Sequence, residues 1–166
     1  MKDKMRNEES QMIKETNSQL FELVKVLQLE CRMFKAGLCS GASLLKEEQL
    51  KHLTKIENIG DRILEKYFVE FDLFIRGEAL LSVMDAYEIS HQKNHLERAL
   101  NFAEKLLPLL PDTPLKCKLF SYCYYYVEEP ECACEAKRIL DSWDKTAYTA
   151  EMIEALNKIG GANGIG

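Results

Sequence analysis

Apolar residues at Ile13, Leu20, Val24, Leu27, Cys31 and Phe34 recur at spacings of seven, four, three, four and three. That period puts them on one face of a long helix, with Gly37 as its stop. Cys39 to Ser43, reading CSGAS, is a loop by composition. Its last residue is placed to cap a second helix, because the Ser43 hydroxyl can accept from exposed amides of the next turn. That helix carries Leu45, Leu50, Leu53, Ile56 and Ile59. Gly60 and Asp61 then predict a break, so a third helix begins at Asp61 and runs to Gly77. Its broad apolar set, Ile63, Leu64, Tyr67, Phe68, Phe71, Phe74 and Ile75, predicts a mostly buried element.

From Glu78 to Ser90 the period continues through Leu80, Leu81, Val83, Met84 and Tyr87 until the polar run His91 to Asn94 ends it. Asn94 is positioned to cap the next helix, with Glu97 reaching back to it, and that helix extends to Leu107 or Leu110. Pro111-Asp112-Thr113-Pro114 is the clearest turn, with Thr113 as the cap and Pro114 at the first helical position, where a missing amide costs nothing. A helix over Pro114 to Val127 follows. Glu128-Glu129-Pro130 breaks it, Glu131 to Trp143 forms another, and a last helix capped by Thr149 ends near Gly160, ahead of a flexible GGANGIG tail.

No alternating run demands a strand. Even SYCYYYV, which has β propensity, lies within a helical period of Leu115, Leu119, Cys123 and Val127. The predicted fold is all-α, a single domain over 1–160 of about seven helices in antiparallel hairpins, with N-terminal helices over 1–76, a second helical region over 78–158 and a tail over 161–166. Ala99 and Ala133 are 34 residues apart, as are Leu106 and Leu140, which is the length of a tetratricopeptide repeat. The first helix of such a unit lacks its tryptophan, leucine and glycine pattern, so ordinary hairpins compete with a tetratricopeptide-like C-terminal half.

At 166 residues and 46% apolar, the chain is long and hydrophobic enough to bury a core. A net charge of −5, with no basic patch evident along the sequence, argues against nucleic acid as a direct partner. No window approaches about eighteen uncharged apolar residues, and no signal-peptide core follows MKDKMRNEESQ, which predicts a cytoplasmic protein that does not engage a membrane. In that compartment the six cysteines are thiols.

Chemistry-bearing residues are sparse. Five residues separate Cys117 from Cys123 and one separates Cys132 from Cys134, whereas structural zinc sites typically use about two to four. His91 and His95 are four apart, a spacing that puts two imidazoles on one helical face, but no acid lies in the HQKNH interval. They are the residues on which a divergent metal-dependent enzyme would rest. His52 shows no chemical partner in the sequence. With no nucleophile elbow or phosphate-cradling loop, neither catalysis nor a cofactor is predicted.

The feature that packing alone does not require is the tyrosine cluster, Tyr122 and Tyr124 to Tyr126, close ahead of the only tryptophan, Trp143. With Leu119, Cys123, Tyr126 and Val127 on the core side, Tyr124 and Tyr125 point elsewhere and Tyr122 is intermediate. Large amphipathic rings suit interface anchors, so Tyr122, Tyr124, Tyr125 and Trp143 are the candidate partner-binding residues, against the alternative that this helix is covered on both sides. The long first helix has spacing that also permits a homodimer through it.

Several motifs in this region resemble those of the UpxZ family. They are LP at Leu110-Pro111, LKCKL from Leu115 to Leu119, YCY from Tyr122 to Tyr124, Val127, EA at Glu135-Ala136, IL at Ile139-Leu140 and SW at Ser142-Trp143. ALL at Ala79 to Leu81 and AY at Ala86-Tyr87 extend the likeness upstream. Where the family pattern has a glycine after YCY this chain has Tyr125, and the likeness does not reach the first seventy residues. The resemblance implies a non-enzymatic regulator that binds a NusG-like antiterminator and inhibits antitermination at capsular polysaccharide operons. A tetratricopeptide-like adaptor with another protein partner is the competing reading.

Overall fold

The computed structural model describes residues 2–39, 46–67 and 72–160. Those residues form seven α-helices and two 3-10 turns, with no strand among them, in agreement with the all-α expectation. They divide into two compact units, Met1–Ala99 and Leu100–Gly166.

The first unit is built from α1 (Lys2–Cys39), α2 (Lys46–Glu65), α3 (Leu73–Ser90) and the start of α4 (Lys93–Leu106). The apolar face read from the sequence is the one that α1 buries, through Leu20, Val24, Leu27 and Cys31, with Leu23 beside them. It packs against both α2 and α3. Each fully buried leucine contributes about 1.5–3 kcal/mol. The positions of Ser43 and of Phe68 and Phe71 lie outside the described residues, as does the 161–166 tail.

Beyond α1 running to Cys39, past Gly37, three boundaries in the first unit differ from the sequence expectation. First, α2 runs unbroken through Asn58-Ile59-Gly60-Asp61 to Glu65. Gly60 is there for space: a Cβ would stand 3.0 Å from Nδ1 and 3.1 Å from Cε1 of His95. Second, the helix expected from Asp61 to Gly77 does not exist as one element. Instead α3 starts after Asp72, whose carboxylate accepts from the amides of Phe74 at 2.9 Å and Ile75 at 3.3 Å. Phe74 is consequently exposed rather than core, while Gly77 is buried inside α3. Third, α4 begins at Lys93, ahead of the Asn94 cap, with the Leu96 amide donating to the Gln92 carbonyl.

Leu50 is also exposed, which narrows the apolar face of α2 to Ile56, Ile59, Ile63 and Leu64. His52, without a visible partner in the sequence, donates from Nδ1 to Oε2 of the buried Glu30 at 2.6 Å. In the same way His95 donates from Nε2 to Oδ1 of Asp61 at 2.6 Å. Buried Arg76 donates from Nε to the Tyr67 hydroxyl at 3.2 Å, one of the contacts that offset the cost of enclosing a guanidinium.

The second unit holds the end of α4, a 3-10 turn at Leu107–Leu109, α5 (Pro114–Val127), α6 (Pro130–Asp141), a 3-10 turn at Lys145–Ala147 and α7 (Ala150–Gly160). The predicted caps are in place: the Lys116 amide donates to the Thr113 hydroxyl at 3.3 Å and the Met152 amide to the Thr149 hydroxyl at 3.3 Å. Within this unit α5 packs against both α6 and α7. Their shared core contains Cys117, Ala133, Ala136, Ile139, Leu140, Met152, Ala155 and Ile159. α6 ends at Asp141, so Trp143 lies past the helix expected to contain it.

Candidate partner-binding site

α5 is fixed at both ends by its own sequence. Pro114 occupies its first turn behind the Thr113 cap, and at the other end Glu128 adopts the left-handed conformation, its amide donating to the Tyr124 carbonyl. Left-handed geometry closes the helix by satisfying a late carbonyl, and Pro130 then starts α6. Buried residues occur all round the helix: Leu115, Cys117, Leu119, Ser121, Tyr122 and Cys123.

The tyrosines divide differently from the sequence expectation. Tyr124, expected to point away from the core, packs half-buried against the α6–α7 cluster together with Phe120. Val127, expected on the core side, is exposed. Tyr122 is only 4% exposed, whereas Tyr125 is 51% exposed and its ring meets that of Tyr126 edge-on, with centroids 5.1 Å apart.

Lys158 of α7, which sequence reasoning missed, joins the two extremes. Its Nζ lies 4.3 Å from the Tyr122 ring centroid and 4.5 Å from that of Tyr125, so one ammonium meets two π faces. Lys118 lies 5.7 Å from the Tyr122 ring and pairs with Glu154 at 2.9 Å. Only the register of α7 on α5 brings Lys158 here, and no local spacing in the sequence encodes that register. Trp143 is 36% exposed, its amide bonded to the Leu140 carbonyl at 3.2 Å, and the Tyr148 hydroxyl donates to the same carbonyl at 2.8 Å. Ile153 and Leu156 on α7 are exposed as well.

Three of the thiols are enclosed and held protonated. Burial pushes the Cys117 and Cys123 thiols up to about 12 and the Cys31 thiol up to about 11, so all three stay protonated near neutrality. His91 and His95 do not share a helix. His91 closes α3 at φ 54° with its ring edge-on to Tyr87, while His95 is buried within α4 against Asp61. Among the described residues no three His, Cys, Asp or Glu side chains converge as metal ligands. What the second unit leaves accessible is the Tyr125 ring with the Lys158 ammonium against it and, elsewhere on the unit, Trp143 and the aliphatic side chains of Ile153 and Leu156.

By fold, then, this is a small all-α protein whose second unit is built round an aromatic helix, with Tyr125 exposed on it. Its architecture is similar to that of a transcription anti-terminator antagonist, UpxZ from Bacteroides uniformis, whose crystal structure aligns with a TM-score of 0.65 at 17% identity. The alignment covers 84% of this chain and 90% of that one, so the likeness first read in the C-terminal motifs is a likeness of fold across most of the molecule. No family model matches the chain, and no curated protein matches it. Among the described residues no helix is long and apolar enough to cross a membrane.

Proposed function

We propose that this protein is a non-enzymatic regulator that binds a NusG-like transcription antiterminator and inhibits antitermination at capsular polysaccharide operons. The observation that carries the reading is the fold shared with UpxZ over 84% of the chain. Tyr125 and Trp143 are the exposed anchors of the docking surface on the second unit, and Tyr122 and Tyr124 hold the helix that presents Tyr125. A protein target in the cytoplasm suits an acidic chain better than direct contact with nucleic acid, because a net charge of −5 repels phosphate backbones on average.

Co-purification of the full chain with NusG-like antiterminators from polysaccharide loci, paired with an operon read-through reporter, tests the reading. Binding to one of them and reduced read-through are expected. Combined Tyr125→Ala and Trp143→Ala substitutions should weaken that binding at least tenfold while helical content is retained. No binding to any antiterminator together with unchanged read-through sinks the proposal, and recovery of an unrelated protein would favour the adaptor reading instead.

A further inference from the structure

The face of α1 opposite its buried stripe carries a second apolar row. Val26, Leu29 and Met33 are all exposed and follow one another at spacings of three and four, the seam spacing of a helix that meets another helix. A groove of about 440 Å³ opens at the N-terminal end of this row, where Val26 and Leu23 of α1 face Arg62 of α2 and Lys66 of the turn after it. The register of the two helices is set by polar contacts, because Lys66 Nζ donates to Gln19 Oε1 at 3.1 Å beside the groove and Lys55 Nζ approaches Glu30 Oε1 at 3.9 Å further along the helix pair.

Arg62 and Lys66 make that side of the groove basic, and Lys51 and Lys55 continue their line along α2 beside the apolar row. Lys51, Lys55, Arg62 and Lys66 are spaced four, seven and four apart, so they align as one ridge down the helix and the turn that follows it. The far flank of the apolar row is basic too, through exposed Lys25 and Arg32 on α1. Among the described residues Glu22 is the one acidic side chain that lines the groove. A chain with net charge −5 therefore carries cations along both borders of its exposed apolar row, a patch that reading charges in linear order does not find.

We infer that this α1–α2 face of the first unit is a docking surface for an acidic amphipathic helix of a partner protein, its apolar stripe on Val26, Leu29 and Met33 and its carboxylates against the flanking cations. The ridge from Lys51 to Lys66 spans about 22 Å at about 1.5 Å per residue, which sets the partner helix at about fifteen residues. A second copy of this chain fits less well, because laying one row on its twin sets basic flank against basic flank. The inference goes beyond the antiterminator reading and does not depend on it.

The test uses the full chain and two labelled eighteen-residue synthetic helices, each with a leucine stripe, one flanked by glutamates and the other by lysines. The acidic peptide is expected to bind at least tenfold tighter than the basic one, and less tightly as salt rises. Arg62→Glu with Lys66→Glu, and separately Leu29→Gln with Met33→Gln, should each weaken binding of the acidic peptide at least tenfold with unchanged circular dichroism. Amide shift mapping on the wild-type protein should confine the perturbed residues to α1 and α2, a readout independent of how the variants fold. No binding of the acidic peptide, equal binding of both peptides, or shifts confined to other helices would overturn the inference. It would equally be overturned by preference for anionic lipid vesicles or a single-stranded oligonucleotide over the acidic peptide, or by self-association lost in the Leu29→Gln, Met33→Gln variant.

Discussion

In the first unit polar side chains tie the helices together, Gln28 to Ser82 between α1 and α3, Glu30 to His52 between α1 and α2, and Asp61 to His95 between α2 and the start of α4. The second unit closes on small residues. Ala133, Ala136 and Ala155 are fully buried where α5, α6 and α7 meet, and the Cys117 thiol is close enough to donate to the Ala136 carbonyl at 3.4 Å. Short side chains let helix backbones approach, so packing is set by shape and leaves little room for relaxation. Paired polar groups instead specify which helix faces meet, because a wrong register leaves a buried group unsatisfied. One unit should thus respond most to lost volume and the other to lost partners.

The largest expected effect lies in the second unit. Ile139→Ala removes a fully buried side chain from the small-residue core and should destabilise by about 2–5 kcal/mol in urea unfolding. In the first unit Tyr67→Phe changes almost no volume but takes the hydroxyl acceptor from buried Arg76, and should cost about 1–3 kcal/mol. Burial raises the Tyr67 pKa, with the Arg76 bond opposing that rise, as expected of a hydroxyl enclosed against a cation. A neutral Tyr67→Phe would break the distinction between the units, since the first would then rest on apolar volume as well.

How much of this was legible follows from where each signal resides. The Pro111 to Pro114 turn and the Thr149 cap are encoded within four or five residues, and both helix starts appear where the sequence put them. The buried stripe of α1 was legible for a similar reason, since one helix's period writes it out. Gly60 reads in the sequence as a helix end because a glycine that ends a helix and one that admits a neighbour look alike locally. Only the His95 ring against Gly60, supplied from α4, distinguishes them. Tyr124 was misplaced because α5 buries side chains on several faces, so no single stripe defines inside. The basic ridge of α2 was invisible in linear order, because acidic and neutral residues intervene between its members.

Gly60 gives a smaller and sharper test of the polar-tether side. Replacing a helix-interior glycine by alanine ordinarily stabilises by about 1 kcal/mol. Here the new Cβ meets a ring that cannot swing away, because Asp61 holds Nε2 while Nδ1 and Cε1 face the glycine. Gly60→Ala alone should therefore gain nothing or lose stability, whereas in a His95→Ala background the same change should recover the ordinary gain of about 1 kcal/mol. Equal effects in both backgrounds would separate Gly60 from the His95 contact.

The smallest expected effect concerns the polar contacts of the second unit, which sit at its periphery. Asp112 is exposed and accepts from Arg138 Nη1 at 2.7 Å and Nη2 at 3.1 Å, while Arg138 also donates to Glu135. The Arg138 hydrogen bonds hold the Asp112 carboxyl down to about 2 from its ordinary 3.8. A carboxyl depressed on folding favours the folded state fully above its unfolded value, and that contribution is lost as pH falls through the folded one. Asp112→Asn should accordingly lower the melting temperature only slightly at pH 7, and the gap to wild type should close between about pH 4 and about pH 2. A gap that persists below pH 2 would assign the loss to the turn's geometry rather than its charge. A loss at pH 7 as large as that of Ile139→Ala would place this ion pair among the unit's main supports, contrary to a core closed by small residues.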